Sequence, residues 1–206
     1  MKKIIIMGAG GHGQVVADAL QLMEGANPIA FIDENPDLHD KEIMGIPVSG
    51  GNAAIANIEH DGIVIALGNN ALRKRIFNDL IKSGENLFTV IHPSSVIAPN
   101  VSVGAGCMIL AGTVINTGTE IKDNSIINTN STIEHHNIIG PHVHVAPGST
   151  LGGEVLVGEE AIIGIGATVL PRIAIGPKAT LGGGSTAIQD IPEDAVAVGV
   201  PACVKT

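Results

Sequence analysis

From Ile91 to Thr186 the chain divides into sixteen consecutive units of six residues with no remainder. A fixed repeat of this length restricts the architecture before any single residue is considered. The first position runs Ile91, Ile97, Val103 and so on to Ile175 and Leu181, and all sixteen are aliphatic. The fifth position is mostly small or short, as in Ser95, Cys107, Thr113, Ser131, Ala161 and Ser185. Glycine, asparagine and aspartate crowd the second to fourth positions. This spells a parallel β-helix, in which each unit gives one short strand and one turn, and three units close a triangular coil. The aliphatic first position points inward and stacks on the residue eighteen places later, one strand spacing of about 4.8 Å away. No Phe, Tyr or Trp occurs between 91 and 186, which suits a bore too narrow for a ring. An array of hairpins would alternate every two residues and would not hold a period of six.

Residues 1–90 follow a different rule. An apolar strand over Lys2–Met7 runs into Gly8-Ala9-Gly10-Gly11-His12-Gly13 and then a helix from about Gln14 to Met23, with Val15, Val16, Ala19, Leu20 and Met23 on one face. A second strand spans Pro28–Asp33, a short strand or hairpin arm Gly45–Val48, and a buried strand Gly62–Leu67, followed by Gly68-Asn69-Asn70 and a helix through Lys82. Strands alternating with helices predict a small α/β domain with a parallel sheet. The expected fold is therefore an α/β, Rossmann-like nucleotide-binding domain over 1–90, followed by an all-β parallel β-helix over 91–206.

Gly8-x-Gly10-x-x-Gly13 between strand and helix matches a dinucleotide fingerprint. Gly8 allows the turn, Gly10 lets a phosphate near the backbone, and the helix N-terminus favours the anion. Asp33, about twenty residues on, is placed to accept from a ribose hydroxyl. Ninety residues hold one mononucleotide-binding half, so a nucleoside diphosphate fits better than NAD. Arg73 either reaches a phosphate or is simply solvated. The net charge of −9 and the absence of a Lys/Arg block argue against nucleic acid and anionic membranes as partners. The apolar runs are too short to span a bilayer. Two distant cysteines suggest no disulfide framework. A cytoplasmic protein is the expectation.

A truncated nucleotide-binding domain beginning Gly-Ala-x-Gly-His-Gly, a strand ending Ile65-Ala66-Leu67-Gly68-Asn69-Asn70, the six-residue repeat and the closing Gly199-Val200-Pro201-Ala202 together resemble the sugar O/N-acyltransferases. That family includes UDP-4-amino-sugar N-acetyltransferases and sialic acid O-acetyltransferases. The resemblance covers essentially the whole chain. It implies a left-handed β-helix, a homotrimer with active sites between subunits, acetyl-CoA as co-substrate and no metal. It also implies that Gly8, Gly10, His12, Gly13, Asp33, Gly68 and Asn69 bind a UDP-sugar.

Four of the eight histidines lie within ten residues, at His135, His136, His142 and His144. His135 and His136 hold the third and fourth positions of their unit, in an outward turn. An amine needs a base before it can attack a thioester, and neutral imidazole serves near pH 7. The family uses the histidine of Ile-Glu-His-(Asp/Glu), which here reads Ile133-Glu134-His135-His136, so the resemblance makes His135 the base. It also shows a departure, since His136 stands where a carboxylate normally orients that imidazole. Glu154, eighteen residues beyond His136, is a distant substitute. His144 lies half a coil from His135 and faces another side, so the two meet only if a neighbouring copy brings its His144 across. By resemblance His144 lies near the thioester, with Gly153, Ile165 and Gly183 along the pantetheine. Three other readings remain: a sugar O-acetyltransferase, a non-catalytic nucleotide-sugar-binding trimer, and a β-helical carbonic anhydrase, whose usual His-x4-His spacing is absent.

Overall fold

The computed structural model describes residues 1–205. The chain forms two compact units, Met1–Pro93 and Ser94–Thr206. In the first, β1 (Lys2–Met7) lies between β2 (Ala26–Ile32) and β5 (Gly62–Ile65), all parallel. Helix α1 (Gly11–Leu22) connects β1 to β2, and α2 (Asn70–Lys82) follows β5. A two-stranded antiparallel hairpin, β3 (Glu42–Ile43) with β4 (Ile46–Pro47), takes the stretch expected to be a short strand or hairpin arm.

Two details depart from expectation. Helix α1 starts at Gly11, three residues early, because the glycine loop itself winds into the first turn. Its buried face is Val16, Ala17, Ala19 and Leu20, whereas Val15 is 41% exposed. The core on the other side of the sheet joins Ile5, Met7, Ile32, Ile63 and Ile65 to Phe77 of α2 and to Ile55 and Leu87.

The second unit is a parallel β-helix with three faces. One face stacks Val96–Ile97, Val114–Ile115, Thr132–Ile133, Thr150–Leu151, Thr168–Val169 and Thr186–Ala187. A second stacks Ser102–Val103, Glu120–Ile121, Ile138–Ile139, Leu156–Val157 and Ala174–Ile175. The third carries Met108–Ile109, Ile126–Ile127, His144–Val145, Ile162–Ile163 and Thr180–Leu181. Each strand pairs in register eighteen residues on, as Ile115 with Ile133 and Ile133 with Leu151. From Ile109 to Leu181 every first position is buried.

The fourth position of every unit from Gly106 to Gly184 has φ between 55° and 71°. Eight of these residues are not glycine: Asn124, Asn130, His136, His142, Glu154, Glu160, Arg172 and Lys178. A side chain in that region costs roughly 1–3 kcal/mol. The corner hydrogen bonds offset the cost, since the N–H of each such residue donates to the coil below, as His136 to Thr117 O (2.9 Å) and Glu154 to His135 O (2.9 Å).

Candidate active site

The turn Glu134–Asn137 leaves the first face after Thr132–Ile133 and enters the second at Ile138–Ile139. Its two imidazoles are exposed and meet edge to face, with ring centroids 5.3 Å apart at 76°. Their Nδ1 atoms are 3.1 Å apart, within hydrogen-bond distance. Two glycines make room for the rings. A Cβ on Gly153, in the coil above, would fall 2.5 Å from Cε1 and Nε2 of His135. A Cβ on Gly118, in the coil below, would fall 2.6 Å from Cδ2 of His136.

Beneath the turn sits Asn137, fully buried at an inward fifth position where small residues were expected. Its Nδ2 donates to Glu134 O and to Gly152 O (3.0 Å), and its Oδ1 accepts from Val155 N–H (3.0 Å). The side chain thus ties the start of the histidine turn to the coil above. Thr119 adds a further tie, its hydroxyl donating to Glu134 O at 2.9 Å. Glu154 stands in the same column as His136 but, among the described residues, bonds neither imidazole. The group that meets His135 in the turn is His136.

His144 opens a strand of the third face, away from the turn that carries His135. Asn128 fixes its tautomer. Asn128 Oδ1 accepts from Thr129 N–H (2.8 Å), so its Nδ2 donates to His144 Nε2 at 3.1 Å. The neutral His144 ring then carries its proton on Nδ1. Ile165 and Gly183 stack one coil apart on a third corner, where Ile165 is 67% exposed. Gly153 does not share their column; it sits over His135. In one copy, then, His144, Gly153, Ile165 and Gly183 do not form one continuous line.

In the first unit, the C-terminal ends of the strands border a cavity of about 270 Å³ lined by Met7, Gly8, Ile32, Asp33, Glu34, Asn52, Leu67, Leu72, Arg75, Ile76 and Asp79. The three fingerprint glycines divide their work. Gly8, at φ 101°, passes close to Ala66, and a Cβ on Gly13 would fall 1.9 Å from Gly8 O, so both serve close packing. Gly10 has open space where its Cβ would be, and it precedes a helix start with no side-chain cap. A phosphate has room there. Asp33 accepts from Ala9 N–H (2.8 Å) and Asn35 N–H (2.9 Å), bracing the glycine loop. Asn69 caps α2 by accepting from Leu72 N–H at 2.9 Å, while Gly68 faces open space.

Arg73 is neither solvated nor at the cavity. It is fully buried and its Nη1 donates to Leu67 O at 3.0 Å. Burial, with the charge of Arg73 nearby, lowers His12 to a pKa of about 4, so His12 is neutral at pH 7. The cation lining the cavity is Arg75. Sequence reasoning missed Arg75, although Leu72, Arg75, Ile76 and Asp79 recur at helical spacing and so share a face of α2. Asn137 and Asn128 carried no comparable signal, because their value lies in contacts with neighbouring coils and turns.

Among the described residues, no helix is long and apolar enough to cross a membrane, and no three His, Cys, Asp or Glu side chains are grouped to hold a metal ion. Residues 3–80 match the profile of the PglD N-terminal domain, and residues 88–181 that of the GMPPB C-terminal domain. The chain is similar to PerB from Caulobacter crescentus, solved in complex with CoA and GDP-perosamine: TM-score 0.93, 34% identity, covering 100% of this chain and 98% of that one. It is also similar to the acetyltransferase domain of PglB from Neisseria gonorrhoeae, with a TM-score of 0.94, 32% identity and full coverage of both chains. A curated relative, a UDP-N-acetylbacillosamine N-acetyltransferase of Bacillus subtilis, is 35% identical over 106 residues, 50% of this chain and 49% of that protein. The matched stretch thus spans about half the length of the curated relative.

Proposed function

We propose that this chain, which belongs to the left-handed β-helical sugar N-acetyltransferase family, transfers the acetyl group of acetyl-CoA to the amino group of a nucleotide-linked 4-amino-deoxy sugar. The observation that carries this reading is the full-length match to PerB, whose structure holds CoA and GDP-perosamine together. UDP is the nucleotide suggested by the curated relative and GDP that suggested by PerB; both are nucleoside diphosphates, and the cavity lined by Gly8 and Arg75 suits the shared diphosphate. Within this reading UDP is the first nucleotide to try.

His135 is the base. As the amine nitrogen attacks the thioester carbonyl, Nε2 of His135 takes the nitrogen's proton. The tetrahedral intermediate then expels CoA thiolate with cleavage of the C–S bond, and the thiolate takes up a proton. His144, held with its proton on Nδ1, is suited to donate to the thioester oxygen. Because His135 and His144 lie on different faces of one copy, the site is completed in a homotrimer, where His144 of a neighbouring copy faces His135. Ile165 and Gly183 then line the pantetheine.

The test is thiol release from acetyl-CoA with UDP- and GDP-linked 4-amino sugars, wild type beside His135→Ala. Turnover with one of these sugars that falls about 10²–10⁴-fold in the variant supports the reading. Binding of the nucleotide sugar without any thiol release would favour a different acyl acceptor.

A further inference from the structure

We infer that His136 positions His135 by acting as a neutral hydrogen-bond acceptor. The inference rests on His135 being the base.

For Nε2 of His135 to accept a proton, the ring's own hydrogen must sit on Nδ1. That Nδ1 lies 3.1 Å from Nδ1 of His136, so a single hydrogen is shared between two nitrogens. In the productive arrangement His135 Nδ1–H donates, His136 Nδ1 accepts, and the hydrogen of His136 sits on its Nε2. Protonation of His136 reverses this. Both of its nitrogens then donate, Nδ1 of His135 becomes the acceptor, and the remaining hydrogen of His135 moves to Nε2. A proton on either ring therefore blocks the base.

The surroundings leave this pair to itself. The charged groups on the adjoining elements are Glu134 in the same turn, Glu154 in the coil above and Arg172 in the coil above that. Among the described residues, neither carboxylate bonds either ring. Glu120 and Lys122, in the coil below, bond each other at 2.5 Å. The backbone is arranged for His136 as well: it sits at φ 56° over Gly118, whose missing Cβ makes room for the ring.

The test uses the full chain and the amino sugar that turns over, with thiol release followed from pH 5 to 9. His136→Gly deletes the acceptor without strain, since Gly118 already holds this position one coil below. It is expected to lower kcat about tenfold with KM nearly unchanged, the worth of one hydrogen bond. His136→Asn places Oδ1 near the lost Nδ1 and tolerates positive φ, so it restores most of kcat. His136→Glu supplies a fixed negative charge that holds the His135 imidazolium, and moves the acid limb of kcat to higher pH by about one unit. Imidazole ¹⁵N shifts at pH 8 show His135 protonated at Nδ1 in the wild type and mixed tautomers in His136→Gly. Wild-type kcat and pH profile in His136→Gly, with His135→Gln inactive, overturns the inference and leaves the base assignment standing. Full turnover in His135→Gln removes the base assignment and this inference with it.

Discussion

His136 and His142 hold the same fourth position in successive units, at φ 56° and 61°, yet the chain treats them in opposite ways. His136 is exposed and its ring meets another imidazole. His142 is 6% exposed, hydrogen-bonded to Asn124 Nδ2 at 2.8 Å and 4.0 Å from Glu159. The backbone is the same, so the difference lies in the residue one coil below. Gly118 under His136 leaves room and offers no partner side chain, whereas Asn124 under His142 supplies one. On this periodic scaffold, exposed and buried histidines at the same corner position are distinguished by their columns.

The largest effect should come from closing the space at the reactive corner. Gly153 does not occupy positive φ, so Gly153→Ala brings no backbone strain, but its Cβ would fall 2.5 Å from the His135 ring. The exposed ring can swing away and the fold survives. A displacement of about 1 Å can cost roughly 10²-fold in turnover. The expected outcome is a loss of that order in kcat with an unchanged melting temperature, measured by thiol release and circular dichroism. Unchanged kcat would mean that the ring position does not matter, and the contrast between the two histidines would lose its functional side.

Next comes the residue that holds the reactive turn from below. Asn137→Val fits the column, since Val155 occupies the same position one coil above. It nevertheless removes the acceptor for Val155 N–H and the donors to Glu134 O and Gly152 O. Leaving buried backbone groups unpaired costs about 1–3 kcal/mol. The variant should melt earlier, and its kcat should fall more than its KM rises because the turn carrying His135 is no longer pinned. A variant that loses stability but keeps kcat would make Asn137 structural in the same sense as Asn124.

How much of this was readable in advance follows from where each interaction lies. The β-helix was legible because its period is written at every sixth residue, from Ile91 to Leu181. The α/β unit was legible from the alternation of apolar strands and helical spacing around Gly8–Gly13. The position of the histidine turn followed from counting, and its exposure agrees with that count. The partner of His135 was harder to identify. Counting eighteen residues from His136 reaches Glu154, yet the contact is made within the turn, between His135 and His136 themselves. Arg73 and Arg75 show the same limit in a helix. Two residues of one type, two places apart, point to different sides, and one ends fully buried against Leu67 O while the other lines the cavity.

His12 extends the comparison to a half-buried histidine near a cation. Its pKa is lowered from 6.5 to about 4, by burial first and the charge of Arg73 second. Below pH 6.5 the unfolded chain takes up a proton that the folded chain refuses. Stability is therefore complete above pH 6.5, declines as the pH falls from 6.5 to about 4, and has lost this contribution below that. The loss across this window is about 2 kcal/mol, less than the full shift implies because the ring is only partly enclosed. His12→Gln should flatten the dependence of urea midpoint on pH between 4 and 6.5. An unchanged slope would show that other groups set it.

The smallest effect is the sharpest test of the opening contrast, because one substitution at equivalent corners should change sign. Asn124 and His136 both sit at φ 56°, and glycine in either place relieves strain worth about 1 kcal/mol. At His136 nothing buried is lost, so His136→Gly should raise the melting temperature by about 2–4 °C while slowing the reaction. At Asn124 the same relief is outweighed, because the fully buried amide that donates to His142 disappears and the cost is about 1–3 kcal/mol. Asn124→Gly should therefore lower the melting temperature and leave kcat unchanged. If both variants move in the same direction, the corner conformation sets stability by itself. If they diverge, the column beneath each residue decides whether it serves the fold or the reaction.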